Sequence, residues 1–266
     1  MNAANGSLGV RLKWLGCACF EMDFGGVTVV NDPWVTDNKH TELTWEDIEK
    51  CDYITLTHGH YDHITDIPAL VKKFDPYVFC GEQTAFPLMN YANLNPMKVY
   101  PMYPDTELDM EQVKIKALYG RHTPLPGTAP ERAASRQTNP ILKGDPDLIQ
   151  LAVLGDFEYR NFLFTTPAGV KVLIWGNMIS RPDQRSILRQ VRPDVALVQM
   201  TGRNDPALMA KICAEIGCKV VLPNHIDFPK TMADYAPHFM GLGEELAKIA
   251  PEIRYIVPEY GQWIEL

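Results

Sequence analysis

Residues 55–63 read "TLTHGHYDH", so three of the seven histidines in the chain fall within six positions, as His58, His60 and His63, with Asp62 among them. In an extended segment, residues two apart point the same way, whereas on a helix they diverge by about 200°. His58 and His60 can therefore converge on one ion only if they sit in a strand or loop. Gly59 permits a tight backbone path, by which Asp62 and His63 can face a neighbouring position. Imidazoles with a carboxylate and no thiolate are the ligand set of a borderline or hard divalent cation, zinc or manganese. Water on zinc has a pKa of about 7, so a metal-bound hydroxide could attack a carbonyl or phosphoryl centre at neutral pH. Asp62 is then the orienting ligand and the candidate base.

The elements that must position this cluster follow from periodicity. "VRLKWLG", "CFEMDFG" and "VTVVND" alternate with period two and read as a meander of three strands. "CDYITLTH" is an apolar strand that delivers the cluster at its end. "DIPALVKKF" and "EQTAFPLMNYANL" read as helices, the second broken at Pro87, with strands at "PYVFC" and "VKIKALYGRH". Residues 123–147 are rich in Pro, Gly and polar residues and read as a long loop, which predicts a lid. The second half opens with a strand at "DLIQLAVLG" and a hairpin at "NFLFTTPAGVKVLIWGN". Helices at "DQRSILRQV", "DPALMAKICAEIG" and "MGLGEELAKIA" then alternate with strands at "DVALVQM" and "KVVLPN", and a strand pair near "IRYIVPEYGQWIEL" closes the chain. Strands in both halves with helices between them predict one α+β domain over residues 1–266, two packed sheets with helices outside.

"THGHYDH" resembles the H-x-H-x-D-H signature of the metallo-β-lactamase fold, and the rest of that pattern recurs in order along this chain. His122 in "LYGRHTP" follows one later strand and His225 in "VVLPNHID" follows another, while "NDPW" (Asn31 to Trp34) looks like the family's Asp-Pro turn. The resemblance implies an αββα sandwich of two mixed β-sheets flanked by helices. It also implies a first metal on His58, His60 and His122, and a second on Asp62, His63 and His225. It is strongest to the subgroup containing L-ascorbate-6-phosphate lactonase and N-acylphosphatidylethanolamine phospholipase D, whose members often form homo-oligomers. Where the family places an aspartate bridging both metals, this chain has Asn177, in "IWGNM". Asn177 can offer a carbonyl oxygen but no charge, and two divalent cations about 3.5–4 Å apart repel strongly. The expectation is one or two ions per chain, with the second bound more weakly. Asp156 in "LGDFEY" stands in a similar context but precedes the hairpin, which makes it a poor substitute for the bridge.

The resemblance implies a metal-dependent hydrolase acting on a phosphodiester, lactone or related ester. The alternative is a degenerate member with a binding or structural role. A diiron oxidoreductase of the same fold usually has a glutamate where His60 stands, and is disfavoured. Arg121, Arg132 and Arg136 could bind an anionic substrate, although solvated loop charges are an ordinary alternative. "TGRND" (Thr201 to Asp205) reads equally as a substrate loop or as plain turn chemistry. Asp32 and Trp34 read as turn and packing residues, and Cys17 and Cys19 as core packing. His40 and His238 lie outside the pattern.

Bulk properties limit the partners. With 266 residues, 46% of them apolar, the chain can bury a full core. A net charge of −8 and a pI near 5.4 argue against nucleic acid or a membrane surface as a partner and leave a small molecule as substrate. Six scattered cysteines without a C-x-x-C pair, and no signal-like or membrane-length apolar run, predict reduced thiols in a cytoplasmic protein.

Overall fold

The computed structural model of the chain describes residues 7–122, 125–176 and 182–266. Strands β1 (Arg11–Gly16), β2 (Cys19–Asp23) and β3 (Thr28–Asn31) form the expected antiparallel meander, and β4 (Tyr53–Thr55) adds to it in parallel. The cluster follows β4 directly, with Asp62 and His63 on a single helical turn, α1 (Tyr61–Ile64). Helix α2 (Ile67–Phe74) leads to β5 (Tyr77–Cys80), and helix α3 (Glu82–Ala92) to the short β6 (Val99–Pro101). Pro87 lies inside α3 without breaking it. The second sheet begins with β7 (Glu107–Asp109) and β8 (Lys114–Tyr119), whose end delivers His122.

Of the expected loop 123–147, the described residues 125–147 are not extended loop. Thr128 and Glu131 form a capping box for helix α4 (Ala129–Gln137), with Pro130 in its first turn. Helix α5 (Pro146–Leu154) replaces the strand expected at "DLIQLAVLG". The Asp145 carboxylate accepts from Asp147 N at 2.9 Å and Leu148 N at 3.0 Å, and Pro146 pre-sets the first φ. Leu148, Leu151 and Ala152 then bury one helical face at i, i+3 and i+4. An apolar run this short carries no decisive period, and the cap decides it.

Strands β9 (Arg160–Thr165) and β10 (Lys171–Trp175) form the expected hairpin. Helix α6 (Pro182–Val191), β11 (Val195–Gln199), α7 (Pro206–Ile216), β12 (Val220–Asn224) and α8 (Met232–Ile249) follow in alternation. The last two strands do not pair with each other. β13 (Arg254–Tyr255) runs parallel beside β12, and β14 (Trp263–Glu265) crosses over to lie antiparallel beside β1. Among the described residues the two sheets run β14-β1-β2-β3-β4-β5-β6 and β13-β12-β11-β10-β9-β8-β7. Both mix parallel and antiparallel neighbours, and helices cover them on the outside.

The main core fills the space between the sheets. Leu12, Trp14, Phe20 and Met22 of the first sheet meet Ile115, Phe162, Phe164 and Val172 of the second, all buried. A second core packs Ile67, Leu70, Leu88 and Leu151 of the helices onto Val30, Ile54 and Val78. All six cysteines are free and buried, and no helix among the described residues is long and apolar enough to cross a membrane. Phe162, with no exposure, sits where the sheets face each other. Phe162→Ala should lower unfolding stability by about 3–5 kcal/mol, read as a drop in the urea midpoint without loss of two-state behaviour.

Candidate metal centre

The fold brings the sequence-predicted residues together at the carboxyl ends of strands from both sheets. The described residues contain two groups of donor atoms, each within 4.8 Å of one another. One is His58, His60 and His122; the other is Asp62, His63, His225 and Cys17. The groups adjoin, with the His58 and His63 rings 4.0 Å apart at their centroids. Asn177 lies outside the described residues. His40 is in neither group, and His238 faces the Asn204 carbonyl at 3.1 Å.

His58, His60, His63 and His225 each have one ring nitrogen engaged by an outward partner. Asp32 Oδ2 accepts from the Thr57 hydroxyl at 2.7 Å, so that hydroxyl can only accept from His58 Nδ1, 3.0 Å away. The proton thus sits on Nδ1 of His58, and the Nε2 lone pair faces His60 Nδ1 at 3.0 Å. His60 Nε2 donates to Asp156 Oδ1 at 2.9 Å, which frees Nδ1 for the cluster. His63 Nδ1 lies 2.9 Å from Asp32 Oδ2, and His225 Nδ1 donates to the Phe228 carbonyl at 3.0 Å. Their Nε2 atoms both turn to Asp62 Oδ2, at 3.6 and 3.5 Å. Outward partners that fix tautomer and ring orientation are the support that metal-ligating histidines require. The donor set fits a divalent cation.

Burial and neighbours set the charges. Burial, with the adjoining imidazoles, pushes His58 well below its usual value, and burial lowers His60 against the pull of Asp156. Both are thereby kept neutral, the form that ligates. Burial would lower His63 too, but Asp32 and Asp62 outweigh it and raise it. Burial would raise Asp62, but His63 and a hydrogen bond from His225 hold its carboxyl below the ordinary range.

Asp32 is therefore more than a turn residue: it reaches His63 directly and His58 through Thr57, and Thr57 N also donates to its Oδ1 at 2.7 Å. Asp156 is in neither donor group and stands behind His60. It also receives Arg136 Nη2 at 2.9 Å and Arg132 Nε at 3.2 Å, so the two arginines expected at the substrate are tied to this carboxylate by α4. Arg121 is exposed. Two glycines are required by close approach. A Cβ on Gly59 would stand 2.4 Å from the Leu151 carbonyl oxygen, and one on Gly155 2.6 Å from the His60 ring. The whole of α5 thus rests against the cluster, which accounts for Gly59 better than a special φ does.

A cavity of about 390 Å³ opens onto the second group. Asp62, His122 and His225 form its floor, and Gln199, Thr201, Arg203, Phe228, Lys230 and Tyr235 its walls. Thr201, Gly202 and Arg203 of the "TGRND" turn line this cavity.

The profile of the beta-lactamase superfamily domain matches residues 11–225. The chain belongs to that superfamily. It is 26% identical to a UPF0173 metal-dependent hydrolase of Caldivirga maquilingensis over 96% of this chain and 97% of that one. A namesake from Koribacter versatilis is 38% identical over 73 residues, 27% of this chain and 31% of the relative, so that match spans about a third of the relative's length. Among solved structures, a metallo hydrolase of the hyperthermophilic archaeon Ignicoccus hospitalis superposes with a TM-score of 0.69 at 16% identity, covering 97% of this chain and 98% of that one. This superfamily fold is the αββα sandwich that the signature implied.

Burial would raise Asp156, but hydrogen bonds from His60 and Arg136 bring it down to about 2. A carboxylate lowered in the folded state contributes stability above its unfolded value near 4 and loses it as pH falls towards 2. Asp156→Asn should therefore cost about 2 kcal/mol at pH 6, and the gap from wild type should narrow at pH 3, compared by thermal melts of the metal-free proteins.

Proposed function

We propose that this chain is a metal-dependent hydrolase that cleaves a small anionic ester, a lactone or phosphodiester, in the cavity above Asp62. The observation that supports this reading best is the outward engagement of four imidazoles, which leaves their other nitrogens converging on two adjoining points. His58, His60 and His122 would hold one cation, and Asp62, His63 and His225 a second. A divalent cation held there acidifies water and polarises an ester carbonyl or phosphoryl group. The remaining work falls to the chain. Asp62 stays ionised beside His63 and His225, so its free oxygen can orient a water and accept its proton on the cavity floor. Arg203 and Lys230 stand at the exposed rim as the cations available to a phosphate or carboxylate, while Phe228 and Tyr235 offer apolar wall to the rest of the substrate. Arg132 and Arg136 act instead through Asp156, fixing the His60 ring.

The relatives' name, metal-dependent hydrolase, agrees with this reading, and the lactonase-like subgroup supplies the substrate classes to screen first. The acidic surface supports a small molecule over nucleic acid. Elemental mass spectrometry on protein dialysed against trace zinc and manganese should find metal in wild type and almost none in His60→Ala, with hydrolysis falling by more than about a hundredfold. A metal-free wild type would favour the degenerate, non-catalytic alternative that Asn177 raises. In the double variant Arg203→Ala with Lys230→Ala, KM for an anionic ester should rise about tenfold while kcat stays within about twofold. An unchanged KM would place anion recognition elsewhere.

A further inference from the structure

The second donor group holds four residues where the sequence pattern supplied three. Cys17 comes from the turn between β1 and β2, has no solvent exposure, and places its Sγ within 4.8 Å of the donor atoms of Asp62, His63 and His225. None of the other five cysteines belongs to a donor group among the described residues. Tetrahedral zinc sites with bonds of about 2.0–2.3 Å hold their ligand atoms roughly 3.3–3.8 Å apart, and these four donors lie within 4.8 Å of one another.

The backbone of Cys17 is held from both sides. Its φ is +45°, in the left-handed region that non-glycine residues seldom occupy. Its N–H donates to Asp227 Oδ1 at 2.9 Å, and its carbonyl accepts Trp14 Nε1 at 3.0 Å and the His225 N–H at 2.8 Å. That last bond ties the turn directly to a ligand of the same group, and His225 is itself left-handed, with φ +55°. Asp227, fully buried, is braced by Asn38 Nδ2 at 2.7 Å and Tyr260 Oη at 2.9 Å. These backbone bonds fix the turn, and with it the Cα from which the thiol reaches the donor group beside Trp34 and Ala18.

We propose that Cys17 is a metal ligand, completing with Asp62, His63 and His225 a site of one sulfur, one carboxylate oxygen and two imidazole nitrogens. The thiol proton is released to solvent when the cation binds. The inference rests on reading the cluster as a metal centre, and it goes further by choosing the metal. Thiolate is a soft donor, so this position should take zinc or cobalt in strong preference to manganese or magnesium.

The test uses the full chain, stripped of metal and titrated with cobalt(II). A thiolate-to-cobalt charge-transfer band in the near ultraviolet should grow in wild type by the second equivalent and be absent from Cys17→Ser. Zinc affinity for the second equivalent should fall at least tenfold in that variant, while the first is unchanged. If wild type takes up two cobalt ions with no charge-transfer band, the cysteine is not a ligand, although the metal-centre reading stands. The wild-type spectrum alone decides this, so a poorly folding variant cannot obscure it. If wild type takes up no cobalt, both readings fall together.

Discussion

A single buried carboxylate orients much of the centre. Asp32 is 1% exposed and ends the third strand of the first sheet; it takes the N–H and hydroxyl of Thr57 from the neighbouring parallel strand's extension and lies against His63. Because Thr57 spends its proton on Asp32, His58 must carry its own proton on Nδ1, and its Nε2 is left as a donor atom. Two imidazoles from the strand end and from the helical turn that follows are thereby aimed by one residue. The cost of burying that charge is offset by three polar neighbours, a trade that interiors accept only when each lone pair is used.

Around this point the charges form a graded system. Burial disfavours protonation of His58 and His60, and the packed imidazoles add to the effect. Anionic groups are placed on both sides, Asp32 and Asp156 outside the rings and Asp62 between His63 and His225. The outer carboxylates aim the rings, and the inner one faces the cavity. Helix α4 contributes Arg132 and Arg136 to the outer layer, so a segment rich in loop-forming residues is joined to the centre through Asp156. The same arginines are thereby drawn away from free solution, and the cavity's exposed cations come instead from the turns after β11 and β12.

Much of this was legible in the amino-acid order. H-x-H-x-D-H admits few geometries, because the two-residue spacing converges only on extended backbone, and His122 and His225 each follow a recognisable strand. The sheets were legible from period-two runs, whose alternation is dictated by having one face in the core. Errors arose where local signals were balanced. Residues 148–154 are apolar apart from Gln150 and fit either element, until Asp145 and Pro146 are seen to start a helix. The last two strands were both visible as strands, but which sheet each joins depends on partners that are remote in sequence.

By itself, then, the sequence determined the class of fold, the residues able to ligate a cation and the acidic net charge, since these follow from residue type, spacing and periodicity. Only the tertiary structure decided which groups stand behind and beside those ligands. No spacing rule foretells what Asp32, Thr57 and Asp156 touch, and Asp156 is 96 residues from the histidine it holds. Their roles come from hydrogen bonds a few ångströms long, closed between chain segments that meet only once two sheets have packed face to face.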